Sequence, residues 1–290
     1  MKVSKMNIQI KKFDPRNIDP CRICIFLAKR GSGKSSLIKD ILYHQRKVPM
    51  GIVMSGTEES NEAYQEFIPD SFIYGEYKSD VVDKVIKHQQ SVIKKLTKVQ
   101  KEDFKNPDNS VFMVMDDCMF DNKWTRQNEM RCVFMNGRHY RILFLLTMQY
   151  CMDLPPALRT NIDYIFVLKE NIIQNKEKIY KNFFGIFPTF DSFNEVLTQC
   201  TENFECLVLD NTSRSNKIED CVFWYKAKVN RNNFKMGPPS LWQYHQDRYT
   251  PNGPDPEQSD PKGLKKKSTA PVIKVTKTDT TGKLKKKEKV

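Results

Sequence analysis

An α/β fold with a mostly parallel sheet flanked by helices is the architecture this sequence predicts, and three observations predict it. Residues 21–27 form an apolar run that passes through a short loop containing glycine and serine into a helix-like segment, residues 36–44. Residues 110–118 hold an unbroken apolar stretch, Val111 through Met115, followed by the paired aspartates Asp116 and Asp117. Beyond them, short apolar runs alternate with amphipathic segments, as strands and helices alternate in a doubly wound sheet.

Each element follows from its own pattern. Residues 51–55 read as a second strand. Residues 79–104 read as a long basic helix. Val82, Val85, Val92, Leu96 and Val99 make one stripe of it, and Lys84, Lys87, Lys94, Lys95, Lys98 and Lys101 crowd the other side. The run ending at Asp116 follows the turn formers Asn106, Pro107 and Asn109, and its continuous apolarity suits a strand buried on both faces. Residues 124–136 read as helical, 142–147 and 162–168 as buried strands, and 173–184 and 192–199 as helices. Residues 206–209 and 221–225 close the sheet, with 211–216 as the turn between them.

The loop after the first run reads Ala28-Lys29-Arg30-Gly31-Ser32-Gly33-Lys34-Ser35. A strand, a glycine-containing loop ending in Gly-Lys-Ser and a helix together hold a nucleoside triphosphate by its phosphates. The expected fold is therefore a P-loop NTPase with a RecA-like sheet, binding ATP or GTP. Backbone N–H groups of Arg30, Gly31, Ser32, Gly33 and Lys34 are expected to wrap the β-phosphate, with the helix N-terminus, at Ser35 and Ser36, adding partial positive charge. Lys34 is expected to reach the β- and γ-oxygens, and the Ser35 hydroxyl to ligate Mg²⁺. Ala28 stands where this pattern usually has its first glycine, so the loop entrance must fit an ordinary backbone conformation.

Carboxylates at the C-terminal end of a parallel strand lie where α/β sheets bind ligands. Asp116 is the expected Mg²⁺ holder, and Asp117 the expected base that orients and polarises water. The strand 142–147 ends in Met148 and Gln149. An amide there can touch the γ-phosphate and the attacking water together, and so sense hydrolysis. Just upstream lie Asn136, Gly137, Arg138 and His139. An arginine that reaches a neighbouring subunit's nucleotide is worth about 10³ to 10⁵ in rate. Arg138 is the candidate, with Arg141 and Arg159 as rivals. Directly after the Asp-Asp strand, Lys123 and Arg126 could hold DNA phosphates and Trp124 could press on a sugar edge, without reading sequence; the same residues equally suit a helix N-terminus with Trp124 partly buried.

Composition sets the bounds. The chain has 290 residues, 39% of them hydrophobic, enough for one substantial core. No run reaches the ~18 apolar residues of a membrane span, and residues 1–13 lack the apolar centre of a secretion signal. The eight cysteines are scattered through apolar runs and read as reduced core thiols, Cys21 and Cys24 included. The net charge is +13, and the segment from Thr250 onward, with eleven lysines against five acidic residues, carries +6 of it. That segment has five prolines and few large apolar residues, so residues 250–290 are expected to be a disordered basic tail behind a domain at 1–249. Such a tail suits nucleic-acid contact, solubility or nuclear import.

The ordered series of Ala28 to Ser35, Val114 to Asp117, Asn136 to His139 and Leu146 to Gln149 resembles the genome-packaging ATPases of large nucleocytoplasmic DNA viruses (the poxvirus, iridovirus and mimivirus type), in the FtsK/HerA-like division of P-loop motors. The resemblance spans roughly residues 22–225. It implies an ATP-driven pump that threads double-stranded DNA into a preformed capsid, working as a homo-oligomeric ring in which each subunit completes its neighbour's site. It further implies ATP and Mg²⁺ as cofactors and a capsid or portal-like virion protein as partner. The implied setting is the host cytoplasm and the virion, with the nucleus left open. Family roles then fall on Lys34, Ser35, Asp116, Asp117 and Gln149, with Arg138 as the trans-acting arginine. Asp117 stands where many related motors carry glutamate. Two other classes share parts of the pattern: a P-loop nucleoside or nucleotide kinase, and a non-catalytic DNA-binding virion protein.

Overall fold

Strands covered on both faces must be apolar throughout, and this requirement orders the molecule. The computed structural model describes residues 8–57, 62–98, 107–118, 122–231 and 233–249. The expected basic tail at 250–290 and the end of the long basic helix, with Val99 and Lys101, lie outside the described residues. Along the chain come β1 (Lys11–Lys12), β2 (Ile23–Leu27), α1 (Lys34–His44), β3 (Met50–Ser55), β4 (Ile73–Tyr74), α2 (Ser79–Lys98) and β5 (Val111–Asp116). There follow α3 (Asn128–Asn136), β6 (Ile142–Met148), α4 (Pro156–Arg159), β7 (Tyr164–Val167), α5 (Ile173–Phe183) and α6 (Phe190–Gln199). The last are β8 (Glu205–Asp210), α7 (Ile218–Cys221), β9 (Val222–Lys226) and α8 (Pro239–Arg248). Among the described residues no helix is long and apolar enough to cross a membrane.

Among the described residues nine strands form one sheet in the order β1-β9-β8-β7-β2-β6-β5-β3-β4. Only β8 runs against its two neighbours; the other pairs are parallel. β2, β5, β6 and β7 are buried at every residue, which is why each reads as an apolar run, broken only by Asp116 at the end of β5 and Thr147 near the end of β6. The register aligns their C-terminal ends: Leu27 pairs with Met148, Met115 with Leu146, and Ser55 with Asp116. One sheet edge therefore collects the ends of β2, β6, β5 and β3, with β6 between the phosphate-loop strand and the Asp-Asp strand.

Helices cover both faces. On one, Leu37, Ile38, Ile41 and Leu42 of α1 pack with Tyr64, Phe67, Phe234 and Met236 against the sheet. Their spacing of three or four residues is that of a single helix stripe. On the other, α2, α3, α5 and α6 contribute residues such as Val82, Met130, Ile179 and Phe193. In α2 the expected stripe holds where it is described: Val82 is buried and Val85, Val92 and Leu96 are partly so.

Several elements depart from the sequence expectations. α1 starts at Lys34 rather than Ser36, because Gly33 in the left-handed region (φ 93°) turns the loop directly into the helix. The segment expected to be one helix from Trp124 divides into a 3-10 turn, Asn122–Arg126, and α3. The edge strands β1 and β4 have two residues each, too short for any periodicity to mark them.

Asp40 ties α1 to the chain around β9. Its carboxylate is wholly buried and accepts hydrogen bonds from Tyr225 Oη, from the Lys228 N–H at 3.1 Å and from Arg231 Nε at 2.6 Å. Arg231 also lies 3.0 Å from His44 Nε2 through its second nitrogen. Burial lowers the His44 pKa more than Asp40 raises it, which keeps the ring a neutral acceptor for that guanidinium. All eight cysteines are free thiols. Burial pushes the Cys200 thiol up to about 11 and the Cys118 thiol up to about 12, so both stay protonated at neutral pH.

Candidate active site

The loop between β2 and α1 owes its shape to two glycines and a serine. Gly31 and Gly33 both have positive φ, 74° and 93°, where a side chain is disfavoured. The Ser32 hydroxyl and N–H both turn back on the Lys29 carbonyl, at 2.6 and 3.4 Å. α1 has no side-chain cap at its N-terminus, so its first N–H groups are left to a ligand. Lys29 lines the cavity, and its ammonium pairs with Glu170, after β7, at 2.6 Å.

Asp116 is the best-connected group of the site. Its Oδ1 accepts from the Thr147 hydroxyl at 2.7 Å and lies 3.3 Å from Lys34 Nζ, and its Oδ2 accepts from Tyr64 Oη at 2.9 Å. In a regular strand the next side chain would leave by the opposite face. Asp117 instead takes φ 55°, which swings its carboxylate back toward the same cavity. Its N–H donates to Thr147 Oγ1 at 3.0 Å, and its Oδ1 accepts from Gln149 Nε2 at 3.0 Å. Arg30 Nη2 lies 3.9 Å from Asp117 Oδ2. Gly56 makes room for this turn: a Cβ there would come within 2.8 Å of the Asp117 carbonyl oxygen.

The structure thus brings together Arg30, Gly31, Gly33, Lys34, Ser35, Ser36, Asp116 and Asp117 around a cavity of about 600 Å³, also lined by Thr57 and Phe204. Ser32 shapes the loop behind it, and Gln149 reaches it through Asp117. The donor set fits a Mg-nucleotide: an uncapped helix start for phosphate, a lysine beside it, and a hydroxyl and a carboxylate for a hard cation.

Arg138 is not brought to this cavity. Its guanidinium donates to Asp163 Oδ1 at 2.7 Å, and Arg22 reaches the same oxygen at 3.1 Å. Asp163 Oδ2 in turn accepts from the N–H of Ile23, the first residue of β2. β2 has five residues, which at ~3.3 Å each set Arg138 roughly 16 Å from the loop of its own chain. Of its rivals, Arg141 is buried and thus closed to a neighbour, and Arg159 donates to Asn182. Of the two readings for Trp124 the buried one holds: the ring packs beside Tyr77, with ring centroids 6.3 Å apart, and cannot press on a sugar. Lys123 and Arg126 next to it are exposed.

Sequence reasoning missed two partners of Asp116. Thr147 lay inside a motif already singled out, but nothing marked its hydroxyl as the bridge between the aspartates. Tyr64 carried no signal, because its contact spans 52 positions. Thr147→Val keeps the shape and removes both hydrogen bonds. It should lower ATP turnover about 10-fold or more, as expected for a lost contact of ~1–3 kcal/mol that positions a reacting group, with the thermal midpoint within a few degrees of wild type. Steady-state phosphate release and a melting curve check both halves.

The Lys29–Glu170 pair has a pH signature. Burial raises the Glu170 pKa, but Lys29, the Ile172 N–H and Asn175 outweigh it, so the carboxyl sits below its ordinary 4.5. The folded state therefore gains stability from this group above about pH 4.5 and loses it as the pH falls through the lowered value. Glu170→Gln should be less stable than wild type at pH 7, with the gap closing in urea titrations carried below pH 4.5.

Residues 11–188 match the family described as Poxvirus A32 protein. Protein L437 of Acanthamoeba polyphaga mimivirus is 40% identical over 235 residues, 81% of each chain. Protein 088R of Invertebrate iridescent virus 3 is 32% identical over 246 residues, 82% of this chain and 90% of its own. Among solved structures, the genome packaging NTPase B204 from Sulfolobus turreted icosahedral virus 2, in complex with AMPPCP, is similar with a TM-score of 0.51 at 17% identity. That match covers 72% of this chain and 100% of the other, and it is a likeness of fold.

Proposed function

This chain belongs to the Poxvirus A32 protein family, and on that premise we propose that it is an ATPase that drives double-stranded DNA into a viral capsid as a homo-oligomeric ring. The observation that carries the chemistry is the chain of contacts Lys34–Asp116–Thr147–Asp117–Gln149, which joins the phosphate loop to two neighbouring strands. The likeness to a packaging NTPase fold supports the task.

Ser35 and Asp116 would hold Mg²⁺, which would supply positive charge to the β- and γ-oxygens. Lys34 adds a second positive charge on the same oxygens. Water attacks the γ-phosphorus, the bond to the β–γ bridging oxygen breaks, and Asp117 takes the proton of the attacking water. Gln149 fixes Oδ1 of Asp117, and Oδ2, 3.9 Å from Arg30 Nη2, is the oxygen that would meet that water. Loss of the γ-phosphate would change what Gln149 and Asp117 contact, and β6 carries the change into the sheet. Arg138, more than half exposed on the far edge, serves a nucleotide held by the next subunit. A kinase reading finds less support, because this base is held for water by Gln149 and Thr147. The same reading assigns the protein to the site of virion assembly, with a capsid or portal-like protein as its anchor.

Displacement of a triplex-forming strand from long double-stranded DNA tests this reading. ATP should drive displacement by wild type and by neither Arg138→Ala nor Asp117→Asn alone. Mixing the two variants should restore a fraction, because some interfaces then combine an intact arginine with an intact base. Displacement that is absent in wild type, or untouched in Arg138→Ala, would overturn the motor or the shared site respectively.

A further inference from the structure

Phe204 stands out from every other aromatic near the site. It is 70% exposed, and it and Asn203 are consecutive non-glycine residues in the left-handed region, with φ 62° and 51°. That backbone is costly and persists only where its surroundings hold it. Here the anchors are the Glu205 N–H on the Glu202 carbonyl at 2.9 Å and the Thr201 hydroxyl on the Leu197 carbonyl at 2.6 Å. Because β8 is antiparallel, its first residue lies at the sheet edge where β2, β5 and β6 end.

The strained turn sets the Phe204 ring on the phosphate loop: a Cβ at Gly33 would meet Phe204 Cδ1 at 3.3 Å. Phe204 also borders a second cavity of about 400 Å³, which continues from the phosphate cavity along Lys29, Arg30, Gly31 and Ser32. The far wall of that cavity is polar, with Lys169, Asn171, Asn203 and Glu205. An exposed aromatic face beside amide donors and acceptors, one step from a phosphate cradle, suits a nucleobase and its ribose.

We propose that Phe204 is the residue that stacks on the base of the bound purine nucleoside triphosphate, with Asn171 and Asn203 facing its polar edge. This rests on the nucleotide-site reading and adds the half of the ligand that the phosphate loop does not touch. Stacking on an aromatic side chain is worth about 1–3 kcal/mol per base, so its loss should weaken ATP binding roughly 5- to 150-fold.

The test is calorimetric titration of the full chain with ATP and, separately, with inorganic tripolyphosphate, which has no base. Phe204→Ala should weaken ATP by that factor and leave tripolyphosphate unchanged, and Phe204→Tyr should restore ATP. Equal ATP affinity in wild type and Phe204→Ala would overturn the stacking role. Equal weakening of both ligands would also overturn it, since Phe204 would then act only on the shape of the loop. Failure of the underlying reading looks different: wild type would bind neither ligand, or Lys34→Ala would bind both as well as wild type does.

Discussion

Asp117→Asn should bind ATP and fail to turn it over, with a loss of about 10²- to 10⁴-fold, the usual worth of a positioned general base. Asparagine accepts the left-handed backbone that Asp117 adopts, so the turn beyond β5 survives the change. The Thr147 contact is made by the backbone N–H of residue 117 and also survives. Gln149 can still meet the amide oxygen. What disappears is an oxygen able to hold a proton. Single-turnover hydrolysis beside equilibrium ATP binding separates the two effects. A variant that hydrolyses ATP at the wild-type rate would remove Asp117 from the chemistry and leave it as a strand terminator.

Asp40→Ala should be the most destabilising single substitution outside the site, at about 3–5 kcal/mol, the cost of breaking a buried ion pair from one side. Asp40 is wholly buried, and its loss strands Tyr225 Oη, the Lys228 N–H and the Arg231 guanidinium together. Arg231 would keep only the neutral His44 ring and the face of Tyr43, 3.9 Å from its centroid. α1 begins at the phosphate loop and carries Asp40 on its buried side, so loosening should also reduce nucleotide affinity. Urea denaturation gives the magnitude. A shift under 1 kcal/mol would mean that the cluster is solvated on unfolding at little cost and does not hold α1 in place.

What could be read from the chain, and what could not, follows from the range of the interactions. β5 and β6 were legible because burial on both faces demands an unbroken apolar run, and the loop from Arg30 to Ser35 because phosphate binding demands small residues at fixed spacing. Asp116, Asp117 and Gln149 could be set at one edge because parallel strands end together. The bridging hydroxyl of Thr147 and the Tyr64 contact depend on side chains meeting across elements, which no local pattern encodes. The same holds for Trp124, whose exposure could not be told from a basic neighbourhood that in fact flanks a buried ring. Phe204 was hidden for a related reason: its importance lies in a positive φ and in the antiparallel turn of β8, and neither is written in residue type.

Steady-state ATP hydrolysis by the full chain, with and without long double-stranded DNA, decides whether this ATPase works on the double helix. Turnover should rise several-fold on DNA and be abolished by Lys34→Ala under both conditions. Turnover indifferent to DNA at every concentration and salt would contradict this, leaving an ATPase whose work is not done on the double helix.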